Sequence, residues 1–115
     1  MERIVKAFFN SAAGLAHAVR YELAVRQEVV VLAVAVPASF FVTESWWKRL
    51  ALIGVILLVL MVELLNTAIE ALSDHVTPDR HPHIRIVKDL GSAAVFTALT
   101  LAGLTWILAL AERLV

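Results

Sequence analysis

The chain has 115 residues, of which 61% are hydrophobic and 17% are charged, and its mean hydropathy is +0.85. Soluble domains usually carry about a quarter charged residues, so this composition predicts one small domain that folds mainly in lipid. The net charge of zero argues against nucleic acid as a partner, and the lack of cysteine excludes disulfides and thiolate metal sites.

The first segment, up to about residue 26, mixes apolar and charged residues. On a helix with about 100° per residue, one stripe collects Ile4, Phe8, Leu15, Val19 and Leu23. This pattern is typical of a helix that lies at the membrane interface. Glu22 is the exception because it falls within the apolar stripe. A carboxylate there either snorkels to the lipid headgroups or faces another protein surface, and the pattern leaves both open.

Three later segments predict membrane-spanning helices, at about 28–45, 50–72 and 91–112. The apolar run of the first covers roughly 22 Å, less than the hydrocarbon thickness of about 30 Å. Either its helix begins earlier, or Pro37 permits a bent crossing. The third contains 21 consecutive uncharged residues, Gly91 to Ala111. Between the spans, residues 44–49 with Trp46 and Trp47 predict an interfacial turn.

Residues 73–89 predict a polar loop, because they include the helix breakers Pro78 and Pro82. With three spans, this loop and the N-terminal segment lie on one side of the membrane. That side holds seven basic residues, Arg80 among them, against three on the other side. The excess predicts that the N-terminus and the loop are cytoplasmic.

The second span carries polar residues that a lipid-facing helix would not tolerate. Glu63 follows 13 uncharged residues, so it lies roughly 20 Å into the bilayer from the outer end. Glu70 and Asp74 fall within about 20° of it on the helix, and Asn66 lies about 60° to one side. One such group would be read as a hydrogen-bonding link between helices. Three carboxylates on one stripe favour a functional site.

Lys88 and Asp89 follow in the predicted loop, next to the cytoplasmic end of the acidic stripe. Mg²⁺ is usually held by one or two carboxylates plus phosphate oxygens, and lysine binds phosphate as a point charge. A carboxylate deeper in the bilayer can accept a proton from a lipid hydroxyl. There is no Walker A motif or glycine-rich phosphate loop. The residues alone therefore leave open an ion-conducting oligomer or a membrane scaffold without catalytic activity.

Two motifs resemble the signatures of the prokaryotic diacylglycerol kinase family and its undecaprenol kinase relatives. Residues 63–71, ELLNTAIEA, resemble E-x-x-N-S/T-A-I/L-E, and residues 88–95, KDLGSAAV, resemble K-D-x-G-S-A-A-V. Residues 26–28, RQE, resemble a third family segment, and the resemblance covers nearly the whole chain. The G-S-A-A form of the second signature favours diacylglycerol over undecaprenol as the lipid.

The resemblance implies an all-α membrane protein, with an N-terminal amphipathic surface helix and three transmembrane helices. It also implies a homotrimeric bundle in the bacterial inner membrane, with active sites between protomers near the cytoplasmic interface. The enzyme would phosphorylate diacylglycerol to phosphatidic acid with MgATP. Undecaprenol is the alternative lipid.

The same resemblance implies roles for individual residues. Glu63 would be the general base that acts on the lipid hydroxyl, and Arg3 would help to position the lipid. Glu22 and Glu70 would bind the Mg²⁺ that bridges the ATP phosphates. The residues expected around the nucleotide are Ser11, Glu22, Glu28, Asn66, Glu70, His81, Lys88 and Asp89.

Overall fold

The computed structural model describes residues 1–77 and 81–115. Within these ranges the chain forms four α-helices, namely α1 (Glu2–Tyr21), α2 (Leu23–Val42), α3 (Trp46–Val76) and α4 (Pro82–Leu114). By length and composition, α2, α3 and α4 are each able to cross a membrane. The described chain thus confirms the predicted all-α fold and its three candidate membrane spans.

A single residue separates α1 from α2. The backbone of Glu22 is extended, with φ −115° and ψ 113°, and this breaks the helix. The guanidinium of Arg26 donates to the carbonyl oxygen of Arg20 at 2.9 Å and to that of Val19 at 3.4 Å. These contacts satisfy carbonyl groups that the end of α1 leaves without helical partners.

The first candidate span begins earlier than the predicted residue 28. Helix α2 starts at Leu23, continues through Pro37 and ends at Val42. Its 20 residues extend about 30 Å, enough to cross the hydrocarbon. Of the two explanations for the short apolar run, the structure therefore supports the earlier start. The helix includes the polar residues 26–28. A helix can continue through polar residues, whereas the part of it that crosses lipid is mostly apolar.

Helices α3 and α4 also extend beyond their apolar runs. The turn predicted at 44–49 is shorter, because Ser45 caps α3 by accepting from the backbone N–H of Lys48 at 3.4 Å. The polar loop predicted over 73–89 is wrong for most of that range, since it is helical up to Val76 and again from Pro82. Pro82 occupies the first turn of α4, where its missing N–H costs nothing. Pro78 and Arg80 lie outside the described residues.

Helix α3 is the centre of the bundle, because it packs extensively against both α2 and α4, which contact each other far less. The cluster between these helices contains Ala35, Ile56, Val59, Ala98 and Ala102. Small residues allow helix backbones to approach closely, which is how helices associate in lipid without a hydrophobic driving force. Further along, the indole N–H of Trp106 donates to the carbonyl oxygen of Leu52 at 3.1 Å and ties α4 to α3.

A second cluster holds the α1–α2 junction against α3. Ala18 near the end of α1 and Val25 near the start of α2 pack with Leu60 of α3. Ala18 and Val25 flank Glu22 in the chain, and Leu60 is three residues from Glu63. This packing therefore places the junction residue Glu22 next to the acidic part of α3.

Candidate active site

Four carboxylates from three parts of the fold converge around the middle of α3. Glu63 is half-buried, and the charges of Glu22, Glu28 and Glu70 act on it. Glu22 comes from the α1–α2 junction, Glu28 from α2, and Glu70 from the same stripe of α3 two turns further on. We call these four residues the acidic cluster. Like charges repel one another, so a cation bound among these carboxylates would stabilise the arrangement.

Asn66 links this cluster to α4. Its side chain is buried, with 9% exposure, and its Nδ2 donates to Oε1 of Glu70 at 3.2 Å. Its Oδ1 is buried and has no hydrogen-bond partner in the described ranges. Gly91 of α4 lies directly against the amide, because a Cβ at this position would collide with Oδ1 and lie 3.2 Å from Cγ. Gly91 thus makes room for the side chain that orients Glu70.

Lys88 reaches back from α4 to the C-terminal end of α3, where the acidic stripe continues to Asp74. Its Nζ lies 2.7 Å from Oδ1 of Asp74, and both side chains are partly exposed, at 41% for Lys88 and 62% for Asp74. Asp89 is exposed and forms no ion pair with any residue in the described part of the chain. Of the two charged residues in the second motif, only Lys88 therefore forms an ion pair with α3 in the described part of the chain.

Three other predicted site residues lie on α1 or at the start of α4. The Ser11 hydroxyl donates to the carbonyl oxygen of Ala7 at 2.9 Å, and Arg3 is exposed on α1. His81 caps α4, since its Nδ1 accepts from the backbone N–H of His83 at 3.2 Å. No hydrogen bond or ion pair joins Arg3, Ser11 or His81 to the acidic cluster over residues 1–77 and 81–115.

The carboxylates of the acidic cluster are the kind of ligand that a metal ion bound to phosphate takes from a protein. In the described chain, no three His, Asp or Glu side chains are close enough to hold a metal ion by themselves. Mg²⁺ is commonly held by only one or two carboxylates together with substrate phosphates. Glu22 and Glu70 are the two carboxylates for which the sequence predicts this role. The chemistry of the cluster is therefore compatible with the predicted Mg²⁺–nucleotide complex, and less so with an all-protein metal cage.

Sequence reasoning left three of these residues without a role. Arg26 caps α1 beside Glu22, Asp74 pairs with Lys88, and Gly91 receives Asn66. The sequence does not single out Gly91, because Gly103 lies in the same helix and a Cβ there would meet nothing within 4 Å. The contacts of Arg26 and Asp74 depend on where helices end and which helices pack together. The spacing of the motifs does not give that information.

Comparison with known proteins assigns the chain's relatives. The sequence profile described as prokaryotic diacylglycerol kinase matches residues 9–110. Proteins named diacylglycerol kinase are similar to the chain in Pseudomonas aeruginosa (46% identity over 106 residues; 92% of this chain and 86% of that protein) and in Escherichia coli strain K12 (40% over 104; 90% and 85%). One from Haemophilus influenzae is 38% identical over 96 residues, covering 84% and 81%. The resemblance inferred from the motifs is confirmed.

The contact between Gly91 and Asn66 predicts the effect of adding one methyl group. In Gly91→Ala the new Cβ displaces the Asn66 amide and breaks its hydrogen bond to Glu70. We expect a net loss of about 1–2 kcal/mol in the free energy of unfolding, although alanine favours the helix by itself. Denaturation with SDS in mixed micelles measures this change.

Gly103→Ala is the matched control. Gly103 lies on the same helix, and a Cβ there would meet nothing within 4 Å. This variant should be as stable as the original chain or more stable by up to about 1 kcal/mol. Equal stability of the two alanine variants would contradict the packing described for Gly91.

Proposed function

The chain belongs to the prokaryotic diacylglycerol kinase family, and we propose that it phosphorylates the hydroxyl of diacylglycerol with MgATP to give phosphatidic acid. The relatives' names supply the lipid. The observation that supports the proposal in this chain is the acidic cluster, in which charge that lipid would exclude is gathered from α2, α3 and the α1–α2 junction. A kinase of this kind needs little more than positioning and charge neutralisation, so a small scaffold suffices.

Glu63 is proposed as the general base. It is the deepest of the α3 carboxylates by position along the chain, and it is half-buried between helices. A diacylglycerol hydroxyl lies near the headgroup region and approaches from the bilayer, so the base must be reached from lipid. As the lipid oxygen bonds to the γ-phosphorus and the bond to ADP breaks, Glu63 accepts the hydroxyl proton.

The nucleotide is proposed to lie on the cytoplasmic side of Glu63. Glu22 and Glu70 would hold Mg²⁺, which neutralises charge on the phosphates, and Asn66 fixes the carboxylate of Glu70. Lys88 contributes a positive charge to the phosphates. The remaining nucleotide contacts are assigned to Ser11, Glu28, His81 and Asp89. The cap formed by His81 uses only Nδ1, so its Nε2 can still reach a ligand.

The proposal includes a homotrimer in the bacterial inner membrane, with the N-terminus cytoplasmic. Helix α1 would be an amphipathic surface helix, since Ile4, Phe8 and Phe9 are largely exposed in the single chain. Active sites between protomers would give Arg3 and Ser11 access to a neighbour's acidic cluster. The chain is treated as one domain, residues 1–115, with hydrocarbon covering α2 and about 50–72 and 91–112 of the longer helices α3 and α4.

Glu63→Gln tests the proposed base. Glutamine keeps the size of the side chain but cannot accept the proton, so the rate of phosphoryl transfer should fall by about 10²-fold or more. MgATP binding should change little, because the nucleotide contacts are elsewhere. Transfer from labelled ATP to diacylglycerol in mixed micelles gives the rate. Glu44→Gln, an exposed acid at the end of the bundle opposite the α3–α4 connection, is the control and should keep full activity. An unchanged turnover in Glu63→Gln would reject this role.

Glu70→Gln tests the metal ligand. Replacing one of two carboxylates weakens the hold on Mg²⁺, so the concentration for half-maximal activity should rise by about tenfold or more. Because excess metal refills a weakened site, much of the lost rate should return at high Mg²⁺. Titration of activity with Mg²⁺ at saturating ATP measures the shift. A normal titration curve would count against the assignment.

A further inference from the structure

The ion pair between Asp74 and Lys88 connects the two helix extensions that leave the membrane. Lys88 lies in the second turn of α4, three residues before Gly91, and Asp74 lies near the end of α3. Their charged atoms are 2.7 Å apart. Both residues fall in the range predicted as loop, so a rigid contact here depends on the helices continuing to Val76 and from Pro82.

The position of Asp74 on α3 places this pair over the acidic cluster. Asp74 follows Glu70 by four residues, so it lies about 6 Å further along the helix axis and on the same face. The side chain of Lys88 therefore points toward the cytoplasmic end of the stripe that carries Glu70 and Glu63. The ammonium lies one helical turn outside the carboxylate that is proposed to hold Mg²⁺.

The pair contributes little to stability. Both side chains are substantially exposed, and exposed ion pairs typically contribute about 0–1 kcal/mol. Its larger effect is on the conformation of Lys88, a flexible side chain whose rotamer freedom is costly to restrict. The ammonium has three N–H donors, and Asp74 engages one of them. The other two remain available to phosphate oxygens.

We propose that Asp74 is a positioning residue, which holds the ammonium of Lys88 in place for the phosphates of a nucleoside triphosphate bound at the acidic cluster. This inference rests on the proposed function, because Lys88 is taken as a phosphate contact. Asp74 itself does not touch the nucleotide. It acts through Lys88, so its effect disappears when Lys88 is absent.

A double-mutant cycle tests this dependence. The dissociation constant of MgATP, and kcat and KM for MgATP, are measured on purified full-length chains in mixed micelles. Asp74→Ala should weaken MgATP binding and raise KM by up to about fivefold, with kcat changed by less than about twofold. Asp74→Asn keeps an oxygen acceptor for Lys88 and should recover most of the loss. In the Lys88→Ala background, Asp74→Ala should have no further effect.

Glu112→Ala is the matched control. It removes the ion pair between Lys48 and Glu112 at the opposite end of the bundle, where the side chains are similarly exposed, at 48% and 58%. It should leave MgATP binding unchanged. Thermal unfolding checks that each variant is folded, and Asp74→Ser replaces the alanine variant in the cycle if that one is not.

Several results would overturn the proposal. Unchanged binding in Asp74→Ala would show that Lys88 needs no partner, and tighter binding would show that Asp74 competes with the phosphates. If Asp74→Ala weakens MgATP binding equally with and without Lys88, Asp74 contacts the nucleotide itself or supports the fold. An equal loss of binding in Glu112→Ala would show a general effect of charge. If the unaltered chain binds MgATP but does not phosphorylate diacylglycerol, the lipid assignment fails, whereas the binding cycle still decides the role of Asp74.

Discussion

A carboxylate inside an apolar helix is tolerated only where polar groups or other helices cover it, and this constraint organises the protein. Glu63 lies two turns from Glu70 on α3, and lipid would exclude both if α3 stood alone. The rest of the fold places other polar residues next to them. Packing of Ala18 and Val25 on Leu60 brings in Glu22, and Glu28 follows on α2. These carboxylates repel one another, and a cation bound among them would offset that repulsion.

Helix α4 completes the site through two contacts less than one turn apart. Gly91 admits the buried Asn66 amide, which bonds Glu70, and Lys88 reaches Asp74. Both contacts belong to one continuous helix. The position of α4 relative to α3 therefore determines where the Glu70 carboxylate and the Lys88 ammonium lie. Small residues along the same interface allow that close approach. Site geometry and helix packing therefore depend on the same few positions.

The sequence predicted the features that depend on composition and helical periodicity. These are the all-α fold, the three candidate spans and the acidic stripe of Glu63, Glu70 and Asp74. It predicted helix ends poorly over 73–89, because polar residues end a membrane span without ending a helix. The break at Glu22 is one extended residue with no compositional signal, and the residues that flank it make a long-range contact with α3. The contact between Asn66 and Gly91 likewise required the register of α3 against α4. The roles of the site residues came from family motifs and stay predictions.

We propose that the acidic cluster brings MgATP and a lipid alcohol together for phosphoryl transfer. The most direct test incubates the purified chain with labelled ATP, Mg²⁺ and either diacylglycerol or undecaprenol in mixed micelles, and separates the lipid products. We expect labelled phosphatidic acid in the presence of Mg²⁺, and much slower labelling of undecaprenol. Faster labelling of undecaprenol would show that undecaprenol, not diacylglycerol, is the preferred substrate. A folded chain that labels neither lipid would contradict the account.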